Sequence, residues 1–165
     1  MSRDNAFQDA ARELGHSFDG EIKAGGNYLP LTREGDTVYL SGQVPRVGST
    51  IVVTGRVGAE VDLAGAQLAA KICAMRALAL LQRSLGSLDG VKQVLRMNVF
   101  VQCADTFTQH SEVADAASDL LVRILGPAGT HARTSVGVYA LPKNASVELD
   151  LTVAVAGGAA PTGKA

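Results

Sequence analysis

At 165 residues, with 47% hydrophobic and 19% charged side chains, the chain holds enough apolar matter for one buried core and too much for a disordered segment. A formal net charge of −1 with scattered Lys and Arg argues against a nucleic-acid surface, and 4% aromatics without Trp argue against a stacking platform for single strands. Cys73 and Cys103 form no C-x-x-C pair, so a disulfide framework is not expected and a reducing cytoplasm is.

The first element is an amphipathic helix over Asn5 to Leu14, with Phe7, Ala10, Ala11 and Leu14 on one face and Gly15 as its stop. The opening residues Ser2-Arg3-Asp4-Asn5 carry no apolar run of the signal-peptide kind. A Gly-rich approach over residues 20–30 has room for a short strand and a loop. Thr37 to Ser41 reads as a strand between Gly35-Asp36 and Gly42, and the β-branched run Ile51 to Thr54 is expected to be the other arm of its hairpin.

Asp62 is placed to cap a long helix that runs to about Leu85 and ends at Gly86. Leu68, Ile72, Met75, Leu78 and Leu81 make its apolar stripe. Gln67, Lys71, Arg76, Gln82 and Arg83 interrupt the same stretch, so no membrane span is expected. Val94 to Val101 is a strand with Leu95, Met97, Val99 and Val101 on one face. A second core helix from about Phe107 to Leu125 closes at Gly126-Pro127. Two strands, Arg133 to Tyr139 and Val147 to Val155, follow around the turn-like Leu141–Asn144. This order predicts an α+β fold: a mixed sheet with two helices on one face. The expected organisation is a helical extension over residues 1–20, a single domain over 21–156 and a loose tail over 157–165.

The last strand alternates most clearly: Val147, Leu149, Leu151 and Val153 are apolar, while Glu148, Asp150 and Thr152 are polar. If it forms a hairpin with the preceding strand, Val136 and Val138 share its apolar face. The opposite face then gathers Arg133, Ser135, Gly137 and Tyr139 with Glu148 and Asp150. Those groups make a small-anion site, or simply a solvated outer face. Arginine's planar fork suits a bidentate carboxylate, and an ion pair with Glu148 or Asp150 is the competing use of Arg133.

Other candidates are weaker. His16, His110 and His131 lie in three separate segments without zinc-ligand spacing, so no metal site is expected; His131 is worth notice only for its nearness to Arg133. The glycines of Ala24–Asn27 and Thr54–Gly58 match neither the dinucleotide nor the phosphate-loop fingerprint and read as turns. Ser41-Gly42 is no nucleophile elbow. Cys73 reads as a packed core thiol.

Taken as a set, Tyr28, then Ser41-Gly42-Gln43, Met97–Val101, Ala132-Arg133, Leu141-Pro142-Lys143 and Val147-Glu148 resemble the reactive intermediate deaminase (RidA, YjgF-like) family. The segments come in the family's order and spacing, over roughly residues 25 to 155. Leu40–Pro45 and Arg133–Val138 are most similar to a less studied branch often labelled endoribonuclease L-PSP-like.

The resemblance implies a chorismate-mutase-like fold and a homotrimer with a central barrel and clefts between subunits. It implies hydrolysis of reactive enamines or imines, such as 2-aminoacrylate and its imine, to 2-keto acids and ammonia. Arg133 would then hold the substrate carboxylate and Glu148 would position or activate water. Tyr28, Ser41 and Gly42 would line the cleft. Ser135 stands where the family archetype has cysteine, and Asp115 near where it has an asparagine. A carboxylate at Asp115 would repel an anionic substrate.

Imine hydrolysis needs no cofactor, and none is expected. The partners expected are further copies of the chain and a small carboxylate-bearing imine, enamine or keto acid, with no nucleic acid and no membrane. A non-catalytic carboxylate-binding or regulatory trimer is the alternative, and an endoribonuclease or translation inhibitor, as the branch label suggests, is the third reading.

Overall fold

The structure, a computed structural model, describes residues 1–157. Most of the expected tail, residues 158–165, therefore lies outside the described residues. Helix α1 (Arg3–Leu14) begins at Ser2, whose hydroxyl accepts from the Asn5 N–H, and ends at Gly15 in the left-handed region. Strands β1 (Leu31–Glu34) and β2 (Thr37–Gln43) come next, followed by the short ribbon β3 (Arg46–Val47) and β4 (Thr50–Ile51). Helix α2 (Leu63–Leu85) is capped by Asp62, whose carboxylate accepts from Gly65 N–H, and stops at Gly86 with φ 81°. Strand β5 (Val91–Gln102), helix α3 (His110–Leu125), strand β6 (Ala132–Val138) and strand β7 (Val147–Val155) complete the order.

One five-stranded sheet runs β1-β2-β7-β5-β6, antiparallel throughout except for β5 with β6. Helices α2 and α3 pack on one face and α1 packs on the helices. The α+β architecture expected from the sequence, a mixed sheet with helices on one face, is present. Alternation in β7 is complete: Val147, Leu149, Leu151 and Val153 are buried. They meet Met97, Val99 and Val101 beneath Ile72, Met75 and Leu78 of α2.

Four local expectations are corrected. Strand β6 does not pair with β7; β5 lies between them. The α3 crossover returns β6 parallel to β5, and β5 and β7, each with a buried apolar face, take the interior positions. The half-exposed β6 is left at the edge. Likewise β2 finds its hairpin partner in β1, across the tight Gly35-Asp36 turn, and not in residues 51–54.

Leu95 is 43% exposed, because register shifts at Val91/Gln93 and Val94/Arg96 turn Val94 inward in its place. Leu68 is also exposed, so the α2 stripe begins one turn later. Helix α2 is long and apolar enough to cross a membrane on length and composition alone, yet 67% of its apolar window is buried in the fold. Its apolarity serves the core.

Candidate functional site

Strand β2 carries an irregularity that builds the cleft. Leu40 pairs with Leu151 and Gln43 with Leu149, so Ser41 and Gly42 together stand opposite Asp150. Gly42 is thereby brought against Glu148 of β7. A Cβ on Gly42 would lie 2.1 Å from Glu148 Oε1 and 2.9 Å from its carboxyl carbon. Only a residue without a side chain leaves the carboxylate where it is.

The neighbouring loop is tied to the same bulge: Ser41 Oγ donates to Leu29 O at 2.6 Å and Ser41 N–H to Pro30 O at 2.9 Å. Tyr28 stands on that loop, its Oη accepting from Gly25 N–H at 3.2 Å. From the other side come Pro142 and Lys143. Lys143 and Asn144 both hold φ 58°, and buried Gln102 fixes the turn by donating to Asn144 Oδ1 at 2.7 Å and accepting from Leu141 N–H at 3.0 Å. The cleft so enclosed measures about 280 Å³ and is lined by Tyr28, Ser41, Gly42 and Glu148.

Glu148 is half-buried. Burial first, and then the nearby Asp150 carboxylate, push its carboxyl above the ordinary value of 4.5. Asp150 itself accepts from Asn98 Nδ2 at 2.8 Å. A carboxylate shifted upward is a stronger base than a free glutamate and is suited to take and return a proton.

Arg133 is not in this cleft. Because Met97 pairs with Arg133 and Val99 with Ser135, both side chains fall on the helix-covered face, and it is Val136, opposite Phe100, that shares the open face with Glu148. The face reading that joined Arg133 to Glu148 required a β6–β7 hairpin, and it fails with it. Within one chain the two residues sit on opposite faces and two strand spacings apart, on the order of 10 Å. Nor does Arg133 pair with Glu148 or Asp150. Its Nη1 donates to Asp115 Oδ1 at 2.8 Å and to Ser118 Oγ at 3.0 Å, while Nη2 reaches Ser111 O at 3.4 Å. Tyr139 lies past the end of β6, 87% exposed, with the Arg56 guanidinium 4.9 Å from its ring centre.

The β6 side holds its own chain of polar contacts. His131 Nδ1 bonds Gly129 O at 2.7 Å, which leaves Nε2 as the acceptor for Ser118 Oγ at 2.9 Å. Ser118 in turn accepts from Arg133, so His131 positions the arginine at one remove. One turn further along the same face, Cys103 Sγ and His110 Nε2 lie 3.4 Å apart over Gly137. Burial raises the Cys103 thiol above its ordinary value, so it is not an activated thiolate. Cys73 is a core thiol, as expected.

Sequence reasoning missed Arg46, Arg76, Gln102 and Lys143. For Arg76 a signal was available, a lone charge inside the Ala-Met-Arg-Ala-Leu stretch of an apolar helix. A larger cleft of about 430 Å³ lies between α1 and α3, lined by Glu13, Lys71, Asp115, Asp119 and Arg123. It contains none of the cleft residues around Glu148, and Glu13 and Arg123 pair across it at 2.6 Å. At its N-terminal end helix α1 is fastened, away from Glu148, by Arg3 Nη1 to Val91 O at 2.6 Å and by Asp4 to Gln82, Ser87 and the Leu88 N–H. It does not cover the candidate cleft.

Residues 13–154 match the family described as "YjgF/chorismate_mutase-like, putative endoribonuclease". Protein TCP17 of Trypanosoma cruzi is 38% identical over 143 residues, which span 86% of this chain and 89% of that protein. The crystal structure of the protein Atu1372 from Agrobacterium tumefaciens is similar at 38% identity and a TM-score of 0.83, over 93% of this chain and 95% of that one. E. coli TdcF with bound serine is similar in fold alone, at 20% identity and a TM-score of 0.62, over 84% of this chain and 95% of that one. With the fold, the Gly42–Glu148 cleft and these matches together, the chain belongs to the YjgF/chorismate-mutase-like family.

Proposed function

We propose that this protein hydrolyses reactive enamine or imine intermediates to 2-keto acids and ammonia, at clefts completed by a second copy of the chain in a homotrimer. The observation that carries the reading is the enforced approach of Glu148 to Gly42 in a cleft shared with Tyr28 and Ser41. Water held by the Glu148 carboxylate adds to the imine carbon, and the carboxyl group takes its proton. That proton passes to nitrogen and completes the carbinolamine, an enamine having first tautomerised to the imine. The hydroxyl proton of the carbinolamine is then relayed by the same carboxylate to nitrogen, the C=O bond forms, and the C–N bond breaks to release ammonia. Every atom is supplied by substrate and water.

Arg133 supports the shared cleft from the opposite direction. It lies on an edge strand with exposed backbone, on the face away from Glu148. An edge strand and an open sheet face bearing Tyr39 and Val136 invite closure by other copies. The arginine of one copy would then reach the Glu148 cleft of the next and hold the substrate carboxylate there.

The test is turnover of imines generated in situ by an amino-acid oxidase. Wild type is expected to accelerate keto-acid release and Arg133→Ala to lose that acceleration. Equal rates for the two would overturn the assignment. The Asp115–Arg133 ion pair favours a second reading, a carboxylate-responsive binding trimer. Tight binding of keto acids by calorimetry without imine turnover would select it.

A further inference from the structure

Arg76 sits mid-way along α2 between Met75 and Ala77, and only 8% of its surface is exposed. Its Nε donates to Gln43 Oε1 at 3.2 Å and its Nη1 to Arg46 O at 3.0 Å. Both acceptors are neutral. Among the described residues no Asp or Glu forms an ion pair with it. Burial disfavours its charged form, and the charges of Arg46 and Arg83 disfavour it further. A buried guanidinium without a counter-ion is costly, and the cost is relieved only when an anion arrives.

Arg46 repeats the pattern, for its Nε is buried without a hydrogen-bond partner. Both arginines line the cleft that holds Tyr28, Ser41 and Glu148, and Lys23 and Lys143 line it as well. Glu148 is not the missing counter-ion. It lines the same cleft but forms no ion pair with Arg76 or Arg46. The cleft thus presents four cationic side chains and one carboxylate that is ion-paired with none of them.

We propose that the cleft takes a dicarboxylate, an imine or enamine of the diacid amino-acid class, whose second carboxylate is received by Arg76 and Arg46. This rests on the hydrolytic reading above, in which Arg133 of another copy holds the first carboxylate. The volume of about 280 Å³ suits a small acyclic diacid, being below the roughly 300–1,000 Å³ of drug-sized sites. Glu148 in the same cleft favours a singly charged carboxylate over a phosphate at the far end, since a dianionic group would be repelled more strongly.

Calorimetry with 2-oxoglutarate and 2-oxobutanoate separates the two ends of the ligand. Wild type is expected to bind the diacid at least about tenfold more tightly, the worth of one charge-assisted contact. Arg76→Gln and the less buried Arg46→Gln are each expected to bring the two affinities together, so a folding defect in the first leaves the second to decide. Equal affinities in wild type, or a preference that survives both substitutions, would overturn the proposal. Loss of assembly in Arg76→Gln with the diacid preference intact would also overturn it, by showing that a carboxylate of a neighbouring copy neutralises the arginine.

Turnover keeps this proposal distinct from the one beneath it. Oxidase-generated imines of aspartate or glutamate should be hydrolysed faster than that of alanine. A diacid preference in binding without any imine turnover sinks the hydrolase and leaves the ligand class standing. Turnover without a diacid preference does the reverse.

Discussion

Gly42 and Glu148 occupy adjoining strands so closely that a single methyl group on the glycine would stand 2.1 Å from the carboxylate oxygen. The β2 bulge sets that approach. Gly42→Ala is expected to displace the flexible end of Glu148 while sparing the backbone. The melting temperature should shift by less than about 4 °C, the scale of a 1 kcal/mol change in a chain of this size. Turnover of imines should fall by about 10²-fold, the cost of a misplacement near 1 Å. A variant with wild-type turnover would break the link between this contact and catalysis.

Glu148→Gln has a predictable signature in stability against pH. The folded-state carboxyl titrates above its unfolded value of 4.5, so the folded chain binds more protons than the unfolded chain between the two values. Stability contributed by this group is therefore full below about pH 4 and declines as pH rises through the folded value. Glutamine removes that decline. The variant should match wild type in acid and melt higher at neutral pH, while imine turnover drops by about 10²-fold or more. A melting difference unchanged by pH would contradict the burial of this carboxyl.

Asp115→Asn frees Arg133 from the carboxylate that holds it at 2.8 Å. The pair is partly solvent-exposed, which limits its strength to about 1 kcal/mol or less. Small keto acids should then bind the variant roughly 2- to 5-fold more tightly in calorimetry. Weaker binding would mean that Asp115 orients Arg133 for the ligand instead of competing with it.

The separation of Arg133 from Glu148 within one chain allows a complementation experiment. Arg133→Ala and Glu148→Gln are each expected to be inactive alone. Refolded together in equal amounts, a trimer in which each cleft takes one residue from each of two copies should regain about a quarter of wild-type activity. No recovery would place both residues in the same chain's site, or in none. Light scattering on the wild type should give a trimer mass.

Phe7 is 1% exposed and meets Phe18 edge to face, with ring centres 6.3 Å apart. Phe7→Ala should lower unfolding free energy by about 3–5 kcal/mol in denaturant titration, as large-to-small core changes do. Turnover per folded molecule should be unchanged, because α1 is packed on the helices and not over the cleft. A specific loss of activity would assign the helix a role at the site.

Much of this architecture was legible in the residues. Asp62 and Gly86 mark the ends of α2 because capping is decided within a few residues, and the alternation of Val147 to Val153 fixes the buried face of β7 by the pleat alone. The grouping of Tyr28, Ser41, Gly42 and Glu148 was legible as well, through the resemblance that their order and spacing carry. Strand neighbours were not. Whether β6 pairs with β7 or with β5 depends on where α3 returns the chain, and that one choice moved Arg133 from the face of Glu148 to the face of Asp115. Bulges were equally hidden: those at Leu95 and at Ser41-Gly42 each shift the pleat by one residue and reverse what points inward. Arg76 was visible as a charge in an apolar helix, but only the packing of α2 against the end of β2 reveals that it is buried without a counter-ion. Local chemistry determines elements and their caps; the faces they share, and the charges left facing one another, are set by long-range pairing that no short stretch of sequence encodes.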